Sequence, residues 1–381
     1  MIQGLEYWLA LVRAPGIGPV NFARLIKHFG NPRSVLEAGF SEWQALALKI
    51  DVLNYLKTPD WSSVENDLRW LEHPNHHILT LEHPAYPSRL REIHDPPPVL
   101  FVCGDCQLLS TPQLAMIGSR HPSQQGETIA LEFAQHLSKA GLTITSGLAM
   151  GIDTASHRGA LEGNGETIAV VGTGLDRVYP AQNHELAHQI AEKGALVSEF
   201  LLGTPAKAIN FPRRNRVISG ISLGILVIEA ASQSGSLITA RHAADQGREV
   251  FAIPGSIHNP LTKGCHALIK EGAKLVETAT DIIEELLLYL PATIPSHDDA
   301  TTLTELPPHP PRWRTTLTET GTDLDETYQR LLEHLRNNPI SVDHLVELSG
   351  LTAGEISSML LILEMRGIVT SQAGGLYART R

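Results

Sequence analysis

The sequence predicts an α/β protein with a central, doubly wound parallel sheet of the Rossmann-like type. An N-terminal helical SAM-like module and a C-terminal winged helix are expected to flank this sheet. Three observations favour this fold class. Short apolar runs alternate with helical stretches from residue 110 to about 280, as in parallel sheets covered by helices. A Pro-, Thr- and Ser-rich linker follows at 291–320. The pattern of residues 321–381 predicts three helices and a Gly-rich hairpin.

The composition is that of a globular protein with several domains. The 381 residues exceed what one hydrophobic core usually supports, and no apolar run is long enough to span a bilayer. Three cysteines suit a reducing compartment, so we expect a cytoplasmic location and no membrane contact. The net charge of −11 is concentrated in the tail, because residues 281–381 carry 7 basic and 15 acidic side chains.

Residues 1–65 are expected to form the helical module, in which a Gly-x-Gly turn at Gly16 and Gly18 precedes an amphipathic helix. Amides of such a turn can face a phosphate. The alternative is a plain helical packing unit, which the negative charge of the module favours. Residues 66–109 are expected to connect this module to the sheet.

The central domain, residues 110–290, is expected to contain seven strands. Several of them are apolar on both faces, as is typical of buried parallel strands, and the helical segments between them end at glycine. The predicted strands are Leu114–Gly118, Leu142–Ser146, Thr167–Gly172, Leu196–Glu199, Ile225–Glu229, Val250–Ile253 and Lys274–Val276.

Small residues follow three of these strands and predict a phosphate-binding edge. Small side chains let backbone amides approach a ligand, and helix N-termini favour anions. Because the carboxyl ends of parallel strands share one edge of an open sheet, the three loops should lie together. The alternative is that the glycines serve only helix–sheet packing. The candidate residues are Gly118, Ser119 and Arg120, then Ser146, Gly147 and Gly151, then Ser234, Gly235 and Ser236.

A basic segment with one aromatic residue lies between the fourth and fifth strands. Read as an exposed loop, it predicts a phenylalanine that stacks a base and cations that hold a phosphate backbone. Two alternatives stay open: Phe211 as a core anchor, and an ion pair of Arg216 with Glu199 or Glu229. The candidate residues are Lys207, Phe211, Arg213, Arg214, Asn215 and Arg216.

The central domain resembles the DprA/Smf family over a long series of motifs: GSR, SGLAxGID, AxHRGAL, TIAVVGTGLDxxYPxxN, FPRRNRVISG, SGSLITA and GREVFAIPG. The resemblance implies a non-enzymatic protein without a cofactor that binds single-stranded DNA largely independently of sequence. It implies that the protein protects this DNA and loads the RecA recombinase onto it during natural transformation. One departure is Ala181, where some members carry a lysine.

The resemblance also implies a homodimer. The last predicted strand ends the sheet and would be an exposed edge unless it were covered. We therefore expect His266, Ile269 and Leu275 at a symmetric contact between two copies.

Two enzymatic alternatives compete with DNA binding. His184, Glu185 and His188 match the HExxH zinc pattern, but no third ligand follows at a known spacing, so we expect no metal. A Rossmann-like enzyme that binds or hydrolyses nucleotides is the other, with Asp153 and Glu229 as its acidic candidates. The chain contains no Gly-Lys dipeptide and therefore no Walker A loop.

The predicted winged helix is acidic. Its helices are expected at Glu326–Asn337, Ser341–Ser349 and Thr352–Arg366, and the last of these would be the recognition helix. That helix has no positive charge before Arg366. We therefore expect residues 321–381 not to bind DNA by themselves.

Overall fold

A computed structural model describes residues 4–289 continuously. Beyond residue 327 it describes an interrupted set: 328, 331–332, 334–335, 340–349, 351–352, 356, 359–360, 363–364, 368–372 and 376–379. The chain divides into two compact units, Met1–Ala300 and Thr301–Arg381. The predicted linker at 291–320 lies outside the described residues.

The first unit is built on a nine-stranded sheet with the order β1-β2-β6-β5-β4-β3-β7-β8-β9. Strands β3 to β9 are parallel to one another, which confirms the predicted doubly wound sheet. Each of the seven predicted strands is present, and no end differs from its predicted position by more than two residues. The strands are β1 His76–Thr80, β2 Val99–Gly104, β3 Gln113–Ile117, β4 Thr143–Ser146, β5 Thr167–Val170, β6 Ala195–Ser198, β7 Gly224–Val227, β8 Glu249–Ala252 and β9 Lys274–Leu275.

The segment expected to be a connection contributes the two remaining strands. Strand β2 pairs antiparallel with both β1 and β6, so 66–109 is part of the sheet as well as a link. Side chains of β2 alternate between two cores. Val99 and Phe101 pack with the N-terminal helices, whereas Leu100 and Val102 pack in the core on the other face. The helical module therefore rests on the same sheet as the central domain.

Helices cover both faces of the sheet. One face packs against α8, α9, α10 and α14, and the other against α7, α11, α12 and α13. The helices are α1 Leu5–Arg13, α2 Pro19–Phe29, α3 Pro32–Glu37, α4 Phe40–Ala45, α5 Ile50–Lys57, α6 Trp61–Trp70, α7 Ser88–Arg91, α8 Gln124–Lys139, α9 Ile152–Glu162, α10 His184–Lys193, α11 Asn210–Ile221, α12 Gly235–Asp245, α13 Lys263–Lys270 and α14 Ala279–Leu286. No helix in the described part of the chain has the length and apolar character needed to cross a membrane.

The described residues of the second unit include the helix Val342–Ser349 and a small antiparallel sheet. The helix Val342–Ser349 lies within one residue of its predicted bounds, and the predicted hairpin is present as a pair of strands. The sheet has the order β10-β12-β11, with β10 Ile340–Ser341, β11 Val369–Gln372 and β12 Leu376–Arg379. The helices predicted at Glu326–Asn337 and Thr352–Arg366 fall partly outside the described residues.

Candidate functional site

A cleft of about 790 Å³ opens at the carboxyl edge of the sheet. The order of the strands reverses here, because β4 lies on one side of β3 and β7 on the other. Open α/β sheets bind their ligands at such a reversal. The loops after β3 and β7 and the first turns of α11 form its walls. Its lining includes Gly118, Ser119, Arg120, Phe211, Arg214, Asn215, Ser234, Gly235 and Ser236.

Arg120 supplies an exposed positive charge to this cleft. Its guanidinium carbon lies 5.6 Å from the centre of the Phe211 ring. Among the residues that the structure describes, no carboxylate forms an ion pair with Arg120. A cation that has no protein counter-ion and lies in a concave site can make a charge-assisted contact with an anion.

The Phe211 ring is partly packed against the protein and partly open to the cleft. One side of its ring packs on Gly172, where an added Cβ would come within 3.0 Å of the ring. The ring is half-buried and lines the cleft, so the rest of it faces the open space. Its position is fixed because Asn210, the first residue of α11, is buried and donates a hydrogen bond to the Gly172 carbonyl at 3.1 Å.

Arg214 differs from the prediction, because it is not part of an exposed loop. It lies on α11, its relative exposure is 4%, and its Nη1 donates to the carbonyls of Gly147 and Val170 at 2.5 Å each. Burial lowers the pKa of Arg214 to about 10, against the favourable field of Asp153. The guanidinium thus forms part of the cleft floor and ties together the loops after β4 and β5.

Arg216 also forms ion pairs within the protein. Its Nη2 pairs with Glu199 at 2.5 Å and its Nε pairs with Asp95 at 3.2 Å. The structure therefore bears out the ion-pair alternative with Glu199, whereas both oxygens of Glu229 accept hydrogen bonds from Ser123.

The other polar residues of the basic segment have different positions. Arg213 is exposed but lines a separate cavity of about 230 Å³, beside Phe200 and the Gly16–Pro19 turn. Lys207 is exposed between two residues of the main cleft. Asn215 is half-buried and accepts a hydrogen bond from Arg214.

Packing explains three of the four glycines that were predicted to approach a ligand. An added Cβ would lie 2.6 Å from Ile152 at Gly118 and 2.4 Å from the Arg214 guanidinium at Gly147. Gly151 has φ +77°, and its Cβ would meet the Ser119 carbonyl at 2.4 Å. Only Gly235, among these four, has free space around its Cα. The packing alternative therefore accounts for most of these glycines.

Several polar groups at and after the end of β4 are paired within the protein. Asp153 accepts hydrogen bonds from the amides of Gly147 and Ala149 at 3.1 and 3.2 Å. Burial raises the pKa of Asp153, while Arg214 and these amides oppose the rise. The Ser146 hydroxyl is buried and donates to the Met116 carbonyl. This loop therefore shapes the cleft through its packing, and the amides of Gly147 and Ala149 are already paired.

The loop after β7 keeps the predicted polar surface. Ser234 caps α12 by accepting a hydrogen bond from the Ser236 amide, and the two hydroxyls are 2.5 Å apart. All three residues from Ser234 to Ser236 line the cleft opposite α11. Hydroxyls and amides at a helix N-terminus favour an anionic ligand.

The HExxH residues are on the surface of α10, where the Nε2 atoms of His184 and His188 lie 3.4 Å apart. Within the described ranges, no group of three or more His, Cys, Asp or Glu side chains could hold a metal ion.

The residues predicted for a dimer contact surround the last strand. Leu275 is 45% exposed on β9, which is the edge of the sheet as expected. Ile269 packs partly against the molecule's own core, and His266 Nε2 is 3.0 Å from the Gly255 carbonyl oxygen.

Tyr179 lines the cleft and was not among the predicted site residues. Its ring centre is 5.6 Å from that of Phe211, and the side chain is 49% exposed. The signal was present in the sequence, since a tyrosine in a loop that follows a parallel strand belongs to the same sheet edge.

Comparison with known proteins gives consistent matches. A family model described as DNA recombination-mediator protein A matches residues 77–287. Models of the DprA winged helix domain and the DprA-like N-terminal HHH domain match residues 315–375 and 5–38. Protein Smf of Escherichia coli (strain K12) is 40% identical over 380 residues, which cover 99% of this chain and 96% of that protein. DNA processing protein DprA of Streptococcus pneumoniae is 48% identical over 201 residues, 53% of this chain and 71% of that protein.

Two solved structures share the fold. The X-ray structure of DprA from Streptococcus pneumoniae has a TM-score of 0.65 at 36% identity, over 74% of this chain and 97% of that chain. DNA processing protein A from Helicobacter pylori, whose structure concerns its mode of binding single-stranded DNA, has a TM-score of 0.52 at 30% identity. That match covers 57% of this chain and 98% of the other.

Proposed function

The chain belongs to the DprA/Smf family, and from this membership we propose that it binds single-stranded DNA in the cleft at the carboxyl edge of the sheet. The observation that carries the proposal is the unpaired, exposed Arg120 beside the half-buried ring of Phe211, which lines the cleft. A cation for the phosphate and an aromatic face for the base are the two components of sequence-tolerant single-strand binding.

The same geometry favours single strands over duplex. A base can stack on Phe211 only when it is not paired and stacked within a double helix. The cation and the Ser234–Ser236 loop would contact phosphates, which carry no base information. We therefore expect binding that is largely independent of sequence, with Lys207 adding a phosphate contact at the rim.

Salt-dependent binding tests this proposal. Fluorescence anisotropy with a labelled oligo(dT) should show tight binding, weaker binding to duplex, and a log–log salt slope of about −0.7 for each phosphate contact. Replacing Arg120 with Ala should lower the affinity by about tenfold or more and reduce the slope by about one contact. The control is Arg158→Ala, an exposed arginine on α9 that does not line the cleft. Equal affinity for duplex, or an Arg120→Ala variant that binds like the parent, would contradict the proposal.

The further roles that we propose concern partners. We propose that the protein protects the bound strand and loads RecA onto it during natural transformation, in the cytoplasm. We also propose a homodimer that pairs across the exposed edge strand β9, for which the 45% exposure of Leu275 offers an apolar contact. Gel-shift experiments with single-stranded DNA, with and without RecA, test the loading step.

We propose no catalytic activity. Asp153 and Glu229, the acidic candidates for nucleotide hydrolysis, both accept hydrogen bonds from neighbouring loops. The geometry thus favours a binding protein over a nucleotide-hydrolysing enzyme.

A further inference from the structure

A second aromatic side chain stands at the rim of the cleft. The Tyr179 ring is tilted by 40° to the Phe211 ring, with 5.6 Å between the ring centres. Nearly half of the tyrosine surface is open to solvent, although the side chain lines the cleft. The pair thus presents two aromatic rings side by side, and Tyr179 is the more exposed of the two.

The loop that carries Tyr179 is anchored to the rest of the domain. Asn183, four residues later, is buried, and its amide donates to the Leu148 carbonyl and the Thr154 hydroxyl, each at 2.9 Å. Earlier in the loop, Asp176 accepts a hydrogen bond from the Gly203 amide at 2.8 Å. A ring held on an anchored loop loses little conformational freedom when a ligand binds, so its contact surface contributes more fully to affinity.

We propose that Tyr179 is a second base-stacking residue, which together with Phe211 holds two consecutive bases of a single strand. This inference rests on the proposed function and adds the size of the ligand that the cleft takes. Arg120, 5.6 Å from the Phe211 ring, would contact the phosphate backbone beside the stacked bases. Stacking uses the face that every base has, so the second position is tolerant of sequence as well.

A stacking contact can be distinguished from a phosphate contact because only stacking requires bases. Tyr179→Ala should weaken binding of oligo(dT) roughly 5- to 150-fold, the loss expected for one base–aromatic stack. The salt slope should not change, because no phosphate contact is removed. Tyr179→Phe should bind within about twofold of the parent, since the ring and not the hydroxyl makes the contact.

An abasic oligonucleotide of the same length provides the decisive comparison. The Tyr179→Ala change should have little effect on binding of this ligand, which has phosphates but no bases to stack. Thermal melts followed by circular dichroism establish that each variant is folded, and Phe40→Ala, an exposed aromatic of the helical module, is the matched control. A Tyr179→Trp variant gives a direct signal, because stacking on thymine should quench the added indole fluorescence.

The outcomes distinguish this inference from the function on which it rests. If the parent protein bound no single-stranded DNA, the proposed function would fail. If the parent bound but Tyr179→Ala bound oligo(dT) equally well, only the stacking role would fail. The stacking role would also be overturned by equal losses on oligo(dT) and on the abasic strand, or by an unquenched tryptophan at position 179.

Discussion

Replacing Arg214 with Met tests whether this arginine organises the cleft or binds DNA directly. Methionine keeps most of the length of the side chain but removes its charge and its donors. The carbonyls of Gly147 and Val170 would then lose their hydrogen bonds from Arg214 Nη1 in a buried site. An unpaired buried polar group costs about 1–3 kcal/mol, and loss of one member of a buried charge network costs about 3–5 kcal/mol.

We therefore expect Arg214→Met to reduce the free energy of unfolding by about 3–5 kcal/mol, a large share of the 5–15 kcal/mol typical of whole domains. With a urea dependence of about 2–3 kcal/mol per molar, the unfolding midpoint should fall by about 1–2.5 M. Circular dichroism during urea titration measures this shift. Single-strand affinity should fall as well, because the loops after β4 and β5 would no longer be joined.

The matched control is Arg213→Met, the adjacent residue on the same helix, which is exposed. Its stability should stay within about 0.5 kcal/mol of the parent. An Arg214→Met variant that was as stable as the parent, yet lost DNA binding as Arg120→Ala is expected to, would contradict a purely structural role for this arginine. That result would identify Arg214 as a direct phosphate ligand.

Three more predictions follow from burial and charge. Burial lowers the pKa of His157 to about 3. Below about pH 6.5 the unfolded chain therefore takes up a proton that the folded chain does not, and the free energy of unfolding decreases as the pH is lowered. His157→Gln should therefore lose about 2 kcal/mol less stability than the parent between pH 7 and pH 5, as measured by urea titration at both values. Truncation after residue 290 should leave the affinity for oligo(dT) nearly unchanged in anisotropy assays, because residues 281–381 are strongly acidic. Tight binding of duplex DNA by the isolated residues 321–381 at ~0.15 M salt would contradict this expectation. Leu275→Glu should convert the proposed dimer to a monomer in sedimentation velocity, and an unchanged dimer would place the contact elsewhere.

The parallel strands could be predicted because the sequence carries their signal locally. A strand buried on both faces has a continuous apolar run, and glycine marks the helix that precedes it. Strand β2 has such a run in Val99–Gly104, but its place in the sheet depends on antiparallel pairing with β6, about a hundred residues later. No local pattern specifies that partner, and the sequence alone therefore predicts only a connection over residues 66–109.

The site was predictable at the level of loops and less so at the level of atoms. The reversal of strand order brings the loops after β3 and β7 to one cleft, as the strand-end rule predicts. Whether an amide in those loops is free depends on tertiary partners. Asp153 pairs with the amides of Gly147 and Ala149, and only the folded structure shows that this carboxylate turns back onto its own loop.

The basic segment shows how one wrong assumption about local structure changes a functional interpretation. Each residue of an α-helix advances by about 100°, so positions i, i+3 and i+7 share a face. On α11, Phe211, Arg214 and Ile218 have this spacing, and all three line the cleft. Arg213 and Arg216 lie about 200° and 140° around the helix from Phe211, towards Phe200 and Glu199 respectively. A helix that begins at Asn210 therefore places the three arginines on two different faces. Of the cations considered for phosphate binding, this geometry leaves Arg120 in the cleft and Lys207 at its rim. The salt dependence of DNA binding should therefore decrease when either of these two residues is replaced.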